Sequence, residues 1–200
     1  YPTIKPLIEV NGKPMIKMVI DNLNIDANYI FIIQKEHSQK FNFKTVLKAM
    51  MPECQEVEAD GLTEGAACTT LLAREFINND QNLLIVNCDQ YVDWDSGDFL
   101  YKMVCSKADG GIITFHKEND PKWSYVAKNA EGSVTRVEEK NPISNEATIG
   151  FYYFNKGSEY VQAAEEMITK QDRSGNGKGE YYVAPTYNYL IAQGKKVITY

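Results

Sequence analysis

Residues Leu83, Leu84, Ile85 and Val86 are uniformly apolar and are followed at once by the polar stretch Asn87, Cys88, Asp89 and Gln90. A strand with apolar side chains on both faces has to be covered on both faces, which happens when helices sandwich a largely parallel sheet. That one segment argues against a half-solvated hairpin protein and places Asp89 at a strand's carboxyl end.

The flanking segments fit this demand. A short apolar run, Leu7 to Val10, stops at the turn signal Asn11-Gly12. Pro14 suits a first helical turn, and Met15, Met18, Val19 and Leu23 recur at helical spacing. Residues 29–33 are β-branched and aromatic and predict a buried strand, residues 36–51 a helix ended by Pro52, and residues 54–58 another strand. A helix over 65–77, rich in small residues, precedes the 83–86 strand. The resulting β-α-β-α-β-α-β order predicts an α/β fold with a doubly wound sheet.

After Asp109 the pattern changes, with strands expected at 112–116, 124–128, 134–139 and 147–154 and little helix between them. Glu131-Gly132 is a hairpin turn signal. Helices are expected over 157–170 and 180–193 around the Gly-rich loop 171–179, with a last strand from Lys195. No repeat and no linker divides the chain, so residues 1–200 are expected to form one domain with a mixed, mainly parallel central sheet.

Charge and composition narrow the function classes. A formal net charge of -6 argues against a nucleic-acid-binding face, because phosphate backbones select basic surfaces. The lysines are scattered, although a phosphate pocket needs only two or three. No apolar run approaches the roughly 18 residues of a membrane span, and no secretory leader is visible. Four cysteines without a CxxC pair, beside two histidines, argue against a zinc site and against a disulfide framework; buried free thiols in a reducing cytoplasm are expected. No nucleophile is proposed near His37 or His116.

Five places could carry chemistry. Asp89, at a strand's carboxyl end, could hold Mg²⁺, which takes oxygen ligands and keeps phosphates and waters in its shell. Asp93-Trp94-Asp95 matches a D-x-D metal pattern, although an N-cap for a helix over 97–106 is the favoured reading. In Thr63-Glu64-Gly65-Ala66-Ala67, the glycine would let backbone approach a flat ring or a phosphate. Lys140, after Glu138 and Glu139, matters if it faces the same cleft as Asp89. Lys5 leads into the short apolar run near the start. The Tyr-rich stretches at 151–154 and 181–182 are expected to be core.

In their order along the chain these segments resemble the nucleoside-diphosphate-sugar pyrophosphorylases, which include glucose-1-phosphate thymidylyltransferases and related cytidylyltransferases. The resemblance rests on Lys5-Pro-Leu-Ile-Glu-Val10 with Asn11-Gly-Lys-Pro-Met-Ile16, on Thr63 to Ala67, on Leu83 to Gln90, on Glu138-Glu-Lys140 with Ile149 to Tyr153, and on Gly179-Glu180. It runs through nearly the whole chain. It implies a Rossmann-like three-layer nucleotidyltransferase fold, with Asp89 holding Mg²⁺ and Lys5 touching phosphates at the reacting centre. It further implies Glu64, Gly65 and Ala66 around the base, Gln90, Trp123 and Ser124 beside the substrate, Glu139 on a substrate hydroxyl and Lys140 on the attacking phosphate.

Two departures stand out: the Gly-rich loop with its arginine, normally ahead of Lys5, and a second, C-terminal metal-binding acid. Both ends are therefore expected to be incomplete, and the fragment alone inactive. The reaction implied joins a nucleoside triphosphate, a pyrimidine by preference, to a phosphorylated small molecule such as a sugar phosphate in polysaccharide biosynthesis, with a homo-oligomer possible. Its rivals are a glycosyltransferase of related architecture using the D-x-D pattern, and a non-catalytic nucleotide-sensing domain.

Overall fold

The computed structural model describes residues 3–177 and 179–200. Lys5–Leu7 form a single 3-10 turn, and β1 (Glu9–Val10) and β2 (Lys13–Pro14) make a two-residue hairpin around Asn11 and Gly12, both with positive φ. The early apolar run therefore stays outside the main sheet. Helix α1 (Met15–Leu23) buries Ile16, Val19, Ile20 and Leu23, one stripe at helical spacing. Strand β3 (Ile30–Gln34) leads to α2 (Lys35–Phe41) and α3 (Phe43–Met50). The single helix expected over 36–51 is broken because Asn42 adopts a left-handed conformation, φ 50°, which asparagine tolerates better than most residues.

Strand β4 (Gln55–Ala59) pairs in parallel with β3. Helices α4 (Ala66–Leu71) and α5 (Arg74–Ile77) replace the expected 65–77 helix, and β5 (Leu83–Val86) follows where expected. Next come α6 (Ser96–Cys105), β6 (Gly110–His116), β7 (Tyr125–Lys128), β8 (Val134–Glu138), β9 (Glu146–Phe154), α7 (Gly157–Thr169), α8 (Ser174–Gly177), α9 (Tyr187–Ala192) and β10 (Val197–Thr199). The helix expected over 180–193 starts later, after a 3-10 turn at Ala184–Thr186, because residues 180–182 run alongside the 64–67 segment instead.

The main sheet has the order β10-β6-β9-β7-β8, and β5 also pairs with β9. Strands β10 and β6 are parallel, while β9 is antiparallel to β6, β5 and β7, and β8 is antiparallel to β7. Four strands (β5, β6, β7, β10) thus point one way and β8 and β9 the other, a mixed sheet.

Alternation along β9 explains the three layers. Tyr152 and Phe154 pack with Tyr160, Val161 and Met167 of α7 and Tyr187 and Leu190 of α9. Phe151 and Tyr153 face the other way, onto Phe99 and Met103 of α6 and Val19 and Leu23 of α1. A third cluster joins Ile16 and Ile20 of α1 to Ile33, Phe43 and Leu47. The β3–β4 pair is a separate sheet among the described residues, not continuous with β5 as the sequence suggested. A cavity opens between them, with Ile30, Phe31 and Ile32 on one wall and residues 83–86 on the other, and it continues to Ser124, Glu139 and Lys140.

Candidate active site

The site is built where two strands divide one edge of β9. Strand β5 covers the carboxyl half of that edge, its last residue Val86 opposite Phe151. Strand β7 takes over at Ala147, opposite Tyr125. Four steps along β9, roughly 13 Å at the usual rise per residue, thus separate the carboxyl end of β5 from the start of β7. Gly150 stands in this gap with φ +85°, a left-handed backbone that suits glycine, and a Cβ there would lie 2.1 Å from the side-chain Nδ2 of Asn87. The Asn87 N–H then donates to the Gly150 carbonyl at 3.2 Å, and the Thr148 N–H to the Ser124 carbonyl at 2.8 Å. Strand β8 ends at Glu138 opposite Tyr125, so Glu139 and Lys140 emerge beside Ser124.

Side chains at this junction are polar and paired. Lys5 forms an ion pair with the Asp89 carboxylate, and the lysine is largely exposed while the aspartate is mostly covered. The hydrogen bond and the charge of Asp89 hold the Lys5 ammonium above its ordinary pKa. On the opposite bank the buried Ser124 hydroxyl donates to Glu139. Burial pushes the Glu139 carboxyl up, against the Ser124 hydrogen bond and the Lys140 charge, which pull it down. Lys140, at φ +56°, reaches the Tyr182 hydroxyl at 2.6 Å and lies 4.6 Å from the centre of that ring. The Tyr182 hydrogen bond raises the Lys140 pKa, so the ammonium is charged throughout the physiological range.

The cavity between β3 and β5, about 1220 Å³ in all, reaches this junction, where Ala66, Gln90, Trp123, Ser124, Glu139 and Lys140, with Cys88 and Tyr182, line it. Asp89 and Lys5 do not line it, although Asp89 stands in sequence between two residues that do, Cys88 and Gln90. A second hollow of about 240 Å³ is lined by Gly65, Ala66, Thr63, Gln34 and Glu180. Gly65 (φ +134°) precedes α4, and a Cβ on it would fall 2.4 Å from the Tyr181 carbonyl oxygen. The Glu64 carboxylate is paired with Arg173.

Lys5 precedes the hairpin in a 3-10 turn, not a strand. Asp95 caps α6, accepting from the Asp98 N–H at 3.0 Å, and Asp93 is exposed. Tyr181 is buried, as expected of core, but Tyr182 is not: it lines the cavity, and sequence reasoning missed it. Its position just after Gly179-Glu180 was the available signal. Nor are all the thiols buried, since Cys88 and Cys105 are exposed. No helix among the described residues is long and apolar enough to cross a membrane.

The chain is similar to known proteins along nearly its whole length. Two curated relatives are bifunctional GlmU proteins: that of Methanocaldococcus jannaschii is 26% identical over 196 residues, covering 96% of this chain and 42% of the relative. The Thermotoga maritima protein is 28% identical over 193 residues, covering 92% and 40%. The chain thus spans about two-fifths of the length of these relatives. Among solved structures, the nucleoside-diphosphate-sugar pyrophosphorylase from Vibrio cholerae RC9 superposes with a TM-score of 0.79 at 23% identity, over 100% of this chain and 84% of that one. A UDP-glucose pyrophosphorylase solved with UDP-glucose gives 0.72 at 16% identity, over 100% and 83%. These identities speak for the fold, a nucleotidyltransferase architecture, as the sequence resemblance implied. A family model described as nucleotidyl transferase matches residues 2–190, and the chain belongs to that family of enzymes.

Proposed function

We propose that this chain carries the catalytic site for transfer of a nucleoside monophosphate from a nucleoside triphosphate to a phosphorylated small molecule, a sugar phosphate, with release of pyrophosphate. The observation that carries the reading is the division of one β9 edge: the Lys5–Asp89 pair follows the end of β5, and Ser124, Glu139 and Lys140 stand at the start of β7 and the end of β8, four positions along β9 from it. Family membership and the sugar-nucleotide names of the structural neighbours support it.

In this reading an acceptor phosphate oxygen attacks the α-phosphorus in line. The new P–O bond forms as the bond between the α-phosphorus and its bridging oxygen breaks, and that oxygen leaves with pyrophosphate. A phosphate monoester is largely dianionic near neutral pH and needs no general base. What remains is to hold two anions together and to stabilise the charge developing between them. Lys5 would meet the triphosphate and Lys140 the acceptor phosphate, each as a fixed positive charge. Glu139, oriented by Ser124, would accept a hydrogen bond from an acceptor hydroxyl, and Trp123 and Gln90 would flank that group. Gly65 and Ala66 would let the base approach the backbone.

A magnesium ion fits Asp89 through the chemistry of its donors. Mg²⁺ commonly binds through one or two carboxylates plus substrate phosphates, and no cluster of three His, Cys, Asp or Glu side chains forms an all-protein cage among the described residues. When bound, it would neutralise phosphate charge beside Asp89. A pyrimidine base is the favoured choice, in line with the UDP-glucose bound by one neighbour. A cytoplasmic setting in polysaccharide biosynthesis belongs to the same reading.

Asp89→Ala in the intact protein is expected to lower Mg²⁺-dependent pyrophosphate release at least about a hundredfold, the cost of removing one charge-stabilising contact. The circular dichroism spectrum should be unchanged. Full activity in that variant would remove Asp89 from the mechanism, and nucleoside diphosphate instead of pyrophosphate as product would favour the glycosyltransferase rival.

A further inference from the structure

Between the base segment and the acceptor pocket lies a joint that the reaction as described leaves unused. Residues 64–67 and 179–181 run side by side: the Tyr181 N–H donates to the Glu64 carbonyl and the Ala67 N–H to the Tyr181 carbonyl, both at 2.9 Å. Gly65 permits this close approach, as its missing Cβ shows. Arg173 closes the joint from outside. Its guanidinium pairs with the Glu64 carboxylate, lies 4.2 Å from the centre of the Tyr181 ring, and donates to the Gly179 carbonyl at 3.4 Å. The next residue, Tyr182, turns the other way and holds the Lys140 ammonium. A continuous chain of contacts therefore runs from Arg173 through Glu64 and Tyr181 to Tyr182 and Lys140.

We propose that Arg173 is a positioning residue that locks the base segment to the Tyr181–Tyr182 backbone, so that the nucleotide pocket and the Lys140 phosphate pocket are set as one unit. This rests on the function proposed above and deepens it. The planar guanidinium suits the task because it stacks on a ring and donates to a carboxylate and a carbonyl together, which an ammonium cannot do. Glu64 is two-thirds exposed in its side chain, and ion pairs of that kind contribute little to stability. The clamp's effect should therefore appear in substrate affinity and not in the melting temperature.

The experiment uses the intact protein with Arg173→Met, which keeps an apolar stem over Tyr181, and Arg173→Lys, which keeps only the charge. Both are expected to raise KM for the acceptor phosphate roughly tenfold, although Arg173 lies on the nucleotide side, with kcat at saturation little changed. Glu64→Gln should do the same, and combining it with Arg173→Met should add almost nothing, as a double-mutant cycle reports for partners in one interaction. Hydrogen exchange at the Ala67 and Tyr181 amides should quicken in Arg173→Met, a readout that needs no turnover. Unchanged acceptor KM in an active enzyme, additive single effects, or unaltered exchange at those two amides would each overturn the proposal. A wild-type protein that releases no pyrophosphate would instead overturn the function, while the exchange measurement would still decide the clamp.

Discussion

Glu139 shows how a single residue can report on the site without any substrate. Its carboxyl sits beside Ser124 at the cavity wall, and burial raises its pKa above the ordinary glutamate value. A raised carboxyl pKa means that the folded state binds the proton more tightly than the unfolded state. The associated stability is present in full below the unfolded pKa and is lost as pH rises through the folded pKa. Near neutral pH the ionised carboxylate is thus a cost to folding. Glu139→Gln keeps a hydrogen-bonding partner for Ser124 and should melt at a higher temperature than wild type at pH 7. The difference should shrink toward zero at pH values below the ordinary glutamate range. A melting difference independent of pH would show that Glu139 is not held in a desolvated state.

Among the elements, α6 and β9 illustrate opposite ways in which local chemistry and tertiary context divide the work. Helix α6 starts for a local reason, the Asp95 side chain capping the Asp98 N–H, with Phe99 and Met103 buried one helical turn apart. Replacing Asp95 by alanine should cost about 1 kcal/mol, as lost N-caps do, and lower the melting temperature by about 2–4 °C for a chain of this size. Metal dependence should not change. A loss of metal-dependent turnover in Asp95→Ala would restore the D-x-D reading. Strand β9 instead owes its role to three neighbours. Its length and alternating aromatics suit a central strand, but the division of one edge between β5 and β7 at Gly150 is a property of the assembled sheet.

At the scale of the molecule, ligand binding should couple to stability, because the candidate site is assembled from the ends of β5, β7 and β8 and from the Tyr181–Tyr182 segment. A triphosphate that binds only the folded state stabilises it by about 2.7 kcal/mol at a hundred times its Kd. With Mg²⁺ present, UTP, CTP or dTTP should raise the melting temperature of the intact protein by several degrees, and ATP and GTP by less. A purine triphosphate giving the largest rise would overturn the pyrimidine preference.

What the sequence determined by itself was local in origin. The β5 run, the α1 stripe, the Asp95 cap and the turn at Gly132 all follow from periodicity and side-chain chemistry within a few residues. Asp89 was legible because a polar stretch directly after a doubly apolar strand marks a carboxyl end. The collinear resemblance then set Lys5, Glu139 and Lys140 beside it as candidates. Only the tertiary structure decided that β5 pairs with β9 and not with the β3–β4 pair, that Glu64 turns to Arg173, and that Tyr182 leaves the core to hold Lys140. Each of these depends on contacts between residues more than forty positions apart in sequence, where neither periodicity nor local propensity carries a signal.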